Sequence, residues 1–188
     1  MTPRQPSARS SSARSASTRS AGRRSTAASA TTQPPVIDPI TLDNLVDTTA
    51  DQLDPRDSYD GIRLTDADLS GHDLSSIVLS ESELVGCTAH GTDFRAARFL
   101  ETRFTRFNAP IFTAPRATLR DVVIEGSRLG SVELFDAELR SVVISQSKLD
   151  WVNLRSATLQ DVVFRDCTIN ELDLAGALLE RAVPGGAS

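Results

Sequence analysis

The stretch LRDVVIEGSRLGSVELFDAE (119–138) is followed without interruption by LRSVVISQSKLDWVNLRSAT (139–158) and LQDVVFRDCTINELDLAGAL (159–178), and the three lines align apolar to apolar. Within each line a large apolar residue returns at every fifth position, as in Leu119, Ile124, Leu129 and Leu134. Followed toward the N-terminus, the same series contains Leu64, Leu69, Leu74, Leu79, Leu84, Phe94, Phe99 and Phe104, and toward the C-terminus it reaches Leu179. Of the 24 fifth positions from Leu64 to Leu179, 21 are Leu, Ile or Phe, so the pattern is a repeat and not a fluctuation of composition.

A period of five fits neither regular element. Five helical steps turn a side chain about 140° away from its starting direction, and five strand steps place it on the opposite face. If each unit of five makes one side of a square coil, however, the central residue always points inward, and so does the residue two before it. That second position reads Ala67, Ser82, Cys87, Thr92, Ala97, Thr102, then Val122, Ser127, Val132 and Ala137, small or β-branched throughout. Of the 30 Leu, Ile and Phe residues between Tyr59 and Val183, only Leu100, Ile111, Phe135 and Leu178 lie off both inward positions, which leaves no room for a competing pattern. Four sides close one coil, which explains the twenty-residue superperiod of the opening lines and the Ala ladder Ala97, Ala117, Ala137, Ala157, Ala177.

These residues resemble the pentapeptide-repeat family, whose A-[DN]-L-x-x unit stands directly in Ala67-Asp68-Leu69. The resemblance covers about residues 61 to 180 and implies an all-β fold, a right-handed quadrilateral β-helix of about six coils. At Val123, Val143, Val163 and Arg98 the consensus Asp or Asn is missing. Six coils at the strand spacing of about 4.8 Å make a rod roughly 29 Å tall. Ala89, Ala109 and Ala114 interrupt the large series, and Phe107 and Phe112 occupy small positions beside two of them. Bulk and smallness have changed places there, which conserves core volume, and Phe107 is expected to lean into the gap beside Cys87 and Ala89. Pro110 and Pro115 predict a local distortion, since Pro cannot donate to a ladder.

Two segments precede the repeats. Residues 1–36 consist mainly of Ser, Ala, Thr, Arg and Pro, with six Arg and no acid, and predict a disordered tail. Such a composition also suits a tether to nucleic acid or an acidic surface, or a targeting presequence. Residues 37–60 form an acidic linker in which Leu42, Leu45, Val46, Ala50 and Leu53 approach helical spacing after Thr41 or Asp43. They predict a short helix capping the first coil, bounded by Pro39 and Pro55. The β-helix is expected over 61–183 and a flexible end over 184–188.

The remaining composition narrows function. No apolar run reaches 18 residues and no secretory h-region opens the chain, so neither a membrane nor a secreted destination is expected. Cys87 and Cys167 fall in one column four coils apart, about 19 Å at the strand spacing, too far for a disulfide. Free thiols suit the cytoplasm. His72 and His90 with two Cys do not assemble a metal centre, and a filled interior offers no pocket, so no catalytic residue, cofactor or metal is expected.

Function is therefore expected on outward positions. Between Asp38 and Asp93 thirteen acids face only Arg56 and Arg63, after which Arg95, Arg98, Arg103, Arg106 and Arg116 form a basic belt against Glu101 alone. On the last coils Val123, Val143 and Val163 predict an apolar stripe, with Trp151 at an outward corner. These residues are the candidate interaction surface for a protein partner of unknown identity or for a homodimer through the C-terminal coils, while nucleic acid is not expected on the rod itself. The family resemblance also implies an alternative, a DNA-mimicking gyrase-binding protein of the quinolone-resistance type. Duplex DNA carries one charge per about 1.7 Å, so a rod of this length needs roughly 17 negative charges. Residues 61–188 carry 18 acids but also 13 bases, which weakens that alternative.

Overall fold

Residues twenty apart lie side by side in the computed structural model, which describes residues 34–37 and 39–184. Leu119, Leu139 and Leu159 occupy successive rungs, as do Val123, Val143 and Val163. Every strand pairing is parallel, and the strands collect into an eleven-stranded and a five-stranded sheet. Each coil therefore has four faces. The first carries Tyr59, Leu79, Phe99, Leu119, Leu139, Leu159 and Leu179, seven rungs against the six expected. The second carries Leu64, Leu84, Phe104, Ile124, Ile144 and Phe164. Leu69 opens the third face and Leu74 the fourth, both fully buried.

The chain turns between faces in two ways. From the first face to the second it runs straight through, in strands such as Thr118–Glu125 and Glu138–Ser145, and turns on a single left-handed residue. Gly61, Glu81, Glu101, Asp121, Ser141, Asp161 and Arg181 all hold this corner with φ between 46° and 62°. Left-handed non-glycine residues each cost on the order of 1 kcal/mol or more, and the ladder on both sides holds them there. After the fourth face the turn is tighter and the Asp/Asn position acts. The Oδ1 atoms of Asp73, Asp93, Asn153 and Asp173 accept the backbone N–H two residues later, at 2.9 to 3.1 Å. Val123, Val143 and Val163 sit inside the long straight strands, where there is no such turn to lock. That is the physical reason the consensus letter is absent from them.

The interior is mainly apolar, but its small inward positions include hydroxyls with a task. Ser127 Oγ accepts the N–H of Phe107 on the preceding coil (3.0 Å) and donates to Glu125 C=O (3.0 Å). Ser147 repeats this for Ser127 one coil on. Thr92 and Thr102 donate back to Leu69 and Leu79 C=O. Among the described residues no buried side-chain polar atom is left without a partner. Where Phe107 and Phe112 take the small positions, five rings close on themselves: Phe94, Phe99, Phe104, Phe107 and Phe112 contact in turn with centroids 5.2 to 6.2 Å apart, and Phe112 returns to Phe94. Phe107 meets Phe104 and Phe112 edge to face. Ala109 and Ala114 supply the space, both fully buried.

Two expectations change. The strand Asn108–Thr113 passes through Pro110 without a break. The accommodation lies one coil on, where a Cβ on Gly130 would strike the Pro110 carbonyl. The capping helix over 42–53 is replaced by a strand at Val46–Asp47 and a single 3₁₀ turn at Ala50–Gln52. Val46 N–H bonds Gly61 C=O and Thr48 N–H bonds Arg63 C=O, both at 2.8 Å, so an extended segment saturates the open edge of the second face, which a helix cannot do. Leu53 is buried as the helix reading required, whereas Val46 is 64% exposed. Tyr59 clamps the 3₁₀ turn by donating to Gln52 C=O and accepting Asp54 N–H, both at 2.8 Å. Finally, residues 1–33 and 185–188 of the two expected flexible ends lie outside the described residues. Val36 is described and donates its N–H to Asp161, and Val183–Pro184 still pairs with Val163 and Phe164.

Ser127→Ala leaves the Phe107 N–H without an acceptor and should destabilise by about 1–3 kcal/mol in urea unfolding, whereas Ser127→Cys, the residue this column carries at 87 and 167, should lose less. Phe107→Ala should cost about 3–5 kcal/mol by opening the aromatic ring. Leu53→Asp should lower the melting temperature clearly and Val46→Asp hardly at all, the reverse order contradicting the extended cap.

Candidate functional site

The interior is filled, so the outward positions supply the chemistry, and the twenty-residue register sorts them into columns. The five belt arginines fall into five columns. Arg95 lies on the fourth face, Arg98 on the first, Arg103 on the second, and Arg106 and Arg116 at left-handed corners with φ 51° and 59°. They ring the rod instead of sharing a face. Three are engaged by carboxylates: Arg95 with Asp93 (3.5 Å), Arg103 with Glu83 (3.9 Å) and Arg116 with Asp136 (3.9 Å). The valines Val123, Val143 and Val163 are direct rung neighbours on the second face, so the stripe is contiguous, and each is half-buried. Trp151 is also half-buried, but its rung neighbours are Ser131 and Glu171 at the corner between the third and fourth faces, in a different column from the stripe. The last described first-face rung is the most apolar exposed feature, with Leu178 at 69% and Leu179 at 54%.

One feature of this surface has no counterpart in the repeat pattern. Val36, Pro39, Ile40 and Thr41 form a strap at the corner between the first and second faces, with Val36 beside a later coil than Ile40. Val36 N–H bonds Asp161 Oδ1 (3.1 Å), and Arg103 Nη2 donates to Ile40 C=O (3.0 Å). From Val36 to Ile40 the contacts pass from Asp161 to Arg103, about three rungs of 4.8 Å toward the first coil. Sequence reading missed this strap because its two anchors are 125 and 63 residues away in the chain. Asp161 is buried beneath it, 6% exposed, and Arg181 grips both carboxylate oxygens at 2.6 and 2.8 Å. One carboxylate therefore fastens the start of the described chain and its last coil together.

The carboxyl of Asp161 is held below its ordinary value, chiefly by the Arg181 hydrogen bond and also by the Val36 N–H. A depressed pKa adds stability that is present above the unfolded value near 3.8 and is lost as pH falls through the folded one. Burial pushes the Cys87 thiol up, and Cys167 in the same column is half-buried. His72 Nδ1 faces Ser70 C=O at 3.3 Å, and His90 is exposed. Among the described residues no group of three metal-ligating side chains converges, and no helix is long and apolar enough to cross a membrane.

As pH falls below about 4 the wild-type rod should lose melting temperature faster than Asp161→Asn, which has already lost the charged clamp. Identical slopes would show that Arg181 gains nothing from Asp161. Hydrogen exchange at the Val36 amide should quicken in the same variant.

Residues 62–100, 73–108 and 147–183 match the family model for pentapeptide repeats, in eight copies. The unmatched stretch between 108 and 147 continues the same ladder, rung for rung. No curated protein matches the chain. Among solved structures, a trypsin-treated form of QnrB1, a plasmid-mediated fluoroquinolone resistance protein, is similar at 13% identity over 70% of this chain and 68% of that one, with a TM-score of 0.40. HetL, a pentapeptide repeat protein involved in heterocyst differentiation regulation from the cyanobacterium Nostoc sp. strain PCC 7120, is similar at 16% identity over 68% of this chain and 87% of that one, with a TM-score of 0.24. Those scores are low, and the fold rests on this chain's own period, register and family match: the chain belongs to the pentapeptide-repeat family.

Proposed function

We propose that this protein is a non-catalytic interaction module, a rigid rod whose outer faces dock other proteins and whose C-terminal end pairs with a second copy. The observation that carries the pairing is the last described first-face rung. Leu179 occupies an inward position, yet it is 54% exposed, beside Leu178 at 69%. Its strand Leu178–Glu180 pairs only with Thr158–Arg165 among the described strands, so its other edge offers a row of backbone groups. A second copy stacked on that edge would cover both leucines and continue the ladder. The Val123, Val143 and Val163 stripe runs toward the same end and would extend the contact. The basic ring of Arg95, Arg98, Arg103, Arg106 and Arg116 belongs to the same proposal as a lateral surface for a protein partner. Two thiols four coils apart suit a reducing, cytoplasmic setting.

The gyrase-binding, DNA-mimicking alternative is less well supported. Each of the four faces carries at least two basic residues, for example Arg98 and Arg120 on the first and Arg95 and Arg155 on the fourth. The acids of the fourth-face column, Asp73, Asp93 and Asp173, are tied to their own turns. A field resembling duplex DNA needs an unbroken negative stripe, and the columns do not supply one.

Leu178→Lys with Leu179→Lys should convert a self-associating rod into a monomer in sedimentation equilibrium while circular dichroism stays that of a β-solenoid. Val143→Lys with Val163→Lys should weaken the association less. A wild-type protein that is monomeric at high concentration would remove the pairing.

A further inference from the structure

Arg120 and Arg140 are direct rung neighbours on the first face, both exposed. Like charges on adjacent rungs, about 4.8 Å apart, repel and destabilise a ladder. Arg120 is partly relieved by Asp121, at 3.7 Å. Among the described residues, Arg140 has no carboxylate within 4.0 Å, and neither has Arg98, which lies diagonally below across Thr118. These three arginines border one shallow groove over the first face, floored by Leu119 and edged by Leu100. On their other side Arg120 and Arg140 border the channel entered by Val36. Arg128 and Lys148 on the third face are stacked in the same way. That pair lies on a face away from the strap.

We propose that Arg98, Arg120 and Arg140 form a docking site for an extended acidic segment of a protein partner, laid along the rod axis beside the strap. Three observations select that occupant. The strap contacts the rod at Asp161 through Val36 and at Arg103 through Ile40, so this side of the rod already holds chain that passes from rung to rung. Carboxylates on alternate residues of such a chain recur about every 6.8 Å, within reach of guanidinium groups on adjacent rungs. The patch itself also argues against a polyphosphate backbone. Glu138 stands among the arginines, and Glu101, Asp121 and Asp161 line the neighbouring corner. A peptide can place uncharged side chains against these acids, whereas a duplex with one charge per about 1.7 Å cannot. This inference rests on the rod being an interaction module, and is independent of pairing through the C-terminal end.

Fluorescence anisotropy with the full chain and a labelled peptide alternating Glu and Thr tests it. Binding should weaken about tenfold or more in Arg120→Gln with Arg140→Gln, fall with added salt, and remain unchanged in Arg128→Gln with Lys148→Gln. A Gln-for-Glu version of the peptide should not bind. If the double variant fails to fold by circular dichroism, Arg98→Gln and Arg140→Gln taken singly should each show part of the loss. The proposal is overturned if the peptide does not bind, if the first-face changes leave binding intact, or if duplex DNA binds more tightly through the same arginines. Competition by inorganic phosphate as effective as by the peptide would reduce the site to a general anion patch and overturn it too. Sedimentation of the same samples reads self-association separately, so failure here leaves the C-terminal pairing standing or falling on its own result.

Discussion

Everything in this molecule depends on the twenty-residue register of its parallel ladder. Each backbone N–H on a face must find a carbonyl of an adjacent coil, before or after it, and it can do so only if every coil turns its corners at the same height. An inserted residue would move each later apolar side chain out of the core, because inward and outward positions alternate along each strand. The register therefore couples hydrogen bonding to core packing. It also explains why sequence identity between coils can be low while the period stays strict. Leu, Ile, Phe or Ala can fill a central position, but a missing or extra residue cannot be absorbed. The Phe ring shows the limit of this tolerance: with Ala109 and Ala114 at two central positions, the lost volume returns through Phe107 and Phe112 within the same coil.

The same register supports local conformations that would be unfavourable alone. Seven consecutive coils place a left-handed residue at the corner between the first and second faces, and only the first of these is glycine. The ladder above and below compensates for the strain at each. Inward hydroxyls serve the same end. Ser127 and Ser147 accept backbone N–H groups from the preceding coil inside the core, so smallness is only half of what that position requires.

The period of five, the inward pairs and the exchange at Phe107 and Phe112 were legible in the sequence because each is a local spacing that the twenty-residue register then repeats. The first coil was less legible. Leu42, Leu45, Val46 and Leu53 carry a helical spacing, but the unpaired edge at Gly61 and Arg63 demands an extended partner, and tertiary hydrogen bonding outweighs a short amphipathic pattern. The strap could not be read at all, since its anchors Asp161 and Arg103 look like ordinary outward charges until Val36 and Ile40 are placed against them. The belt arginines were visible as a block in sequence. A winding chain, however, spreads consecutive residues over four faces, so five of them within about one coil make a ring, while a patch is made by residues twenty apart.

That last point changes how charge on such a rod is to be weighed. Proximity in sequence distributes charge around the circumference and leaves no face dominated by one sign. Proximity in register concentrates it along the axis, where rung neighbours about 4.8 Å apart interact most strongly. Arg120 and Arg140 are such a pair, and their mutual repulsion is retained on a face whose other side is occupied by the strap. Asp161 shows the opposite solution on the adjacent corner, where Arg181 one rung later donates to both of its oxygens. Two neighbouring columns of one ladder thus treat charge differently, one paired within the chain and one in which Arg140 has no carboxylate partner among the described residues, and there an outside carboxylate gains most by binding.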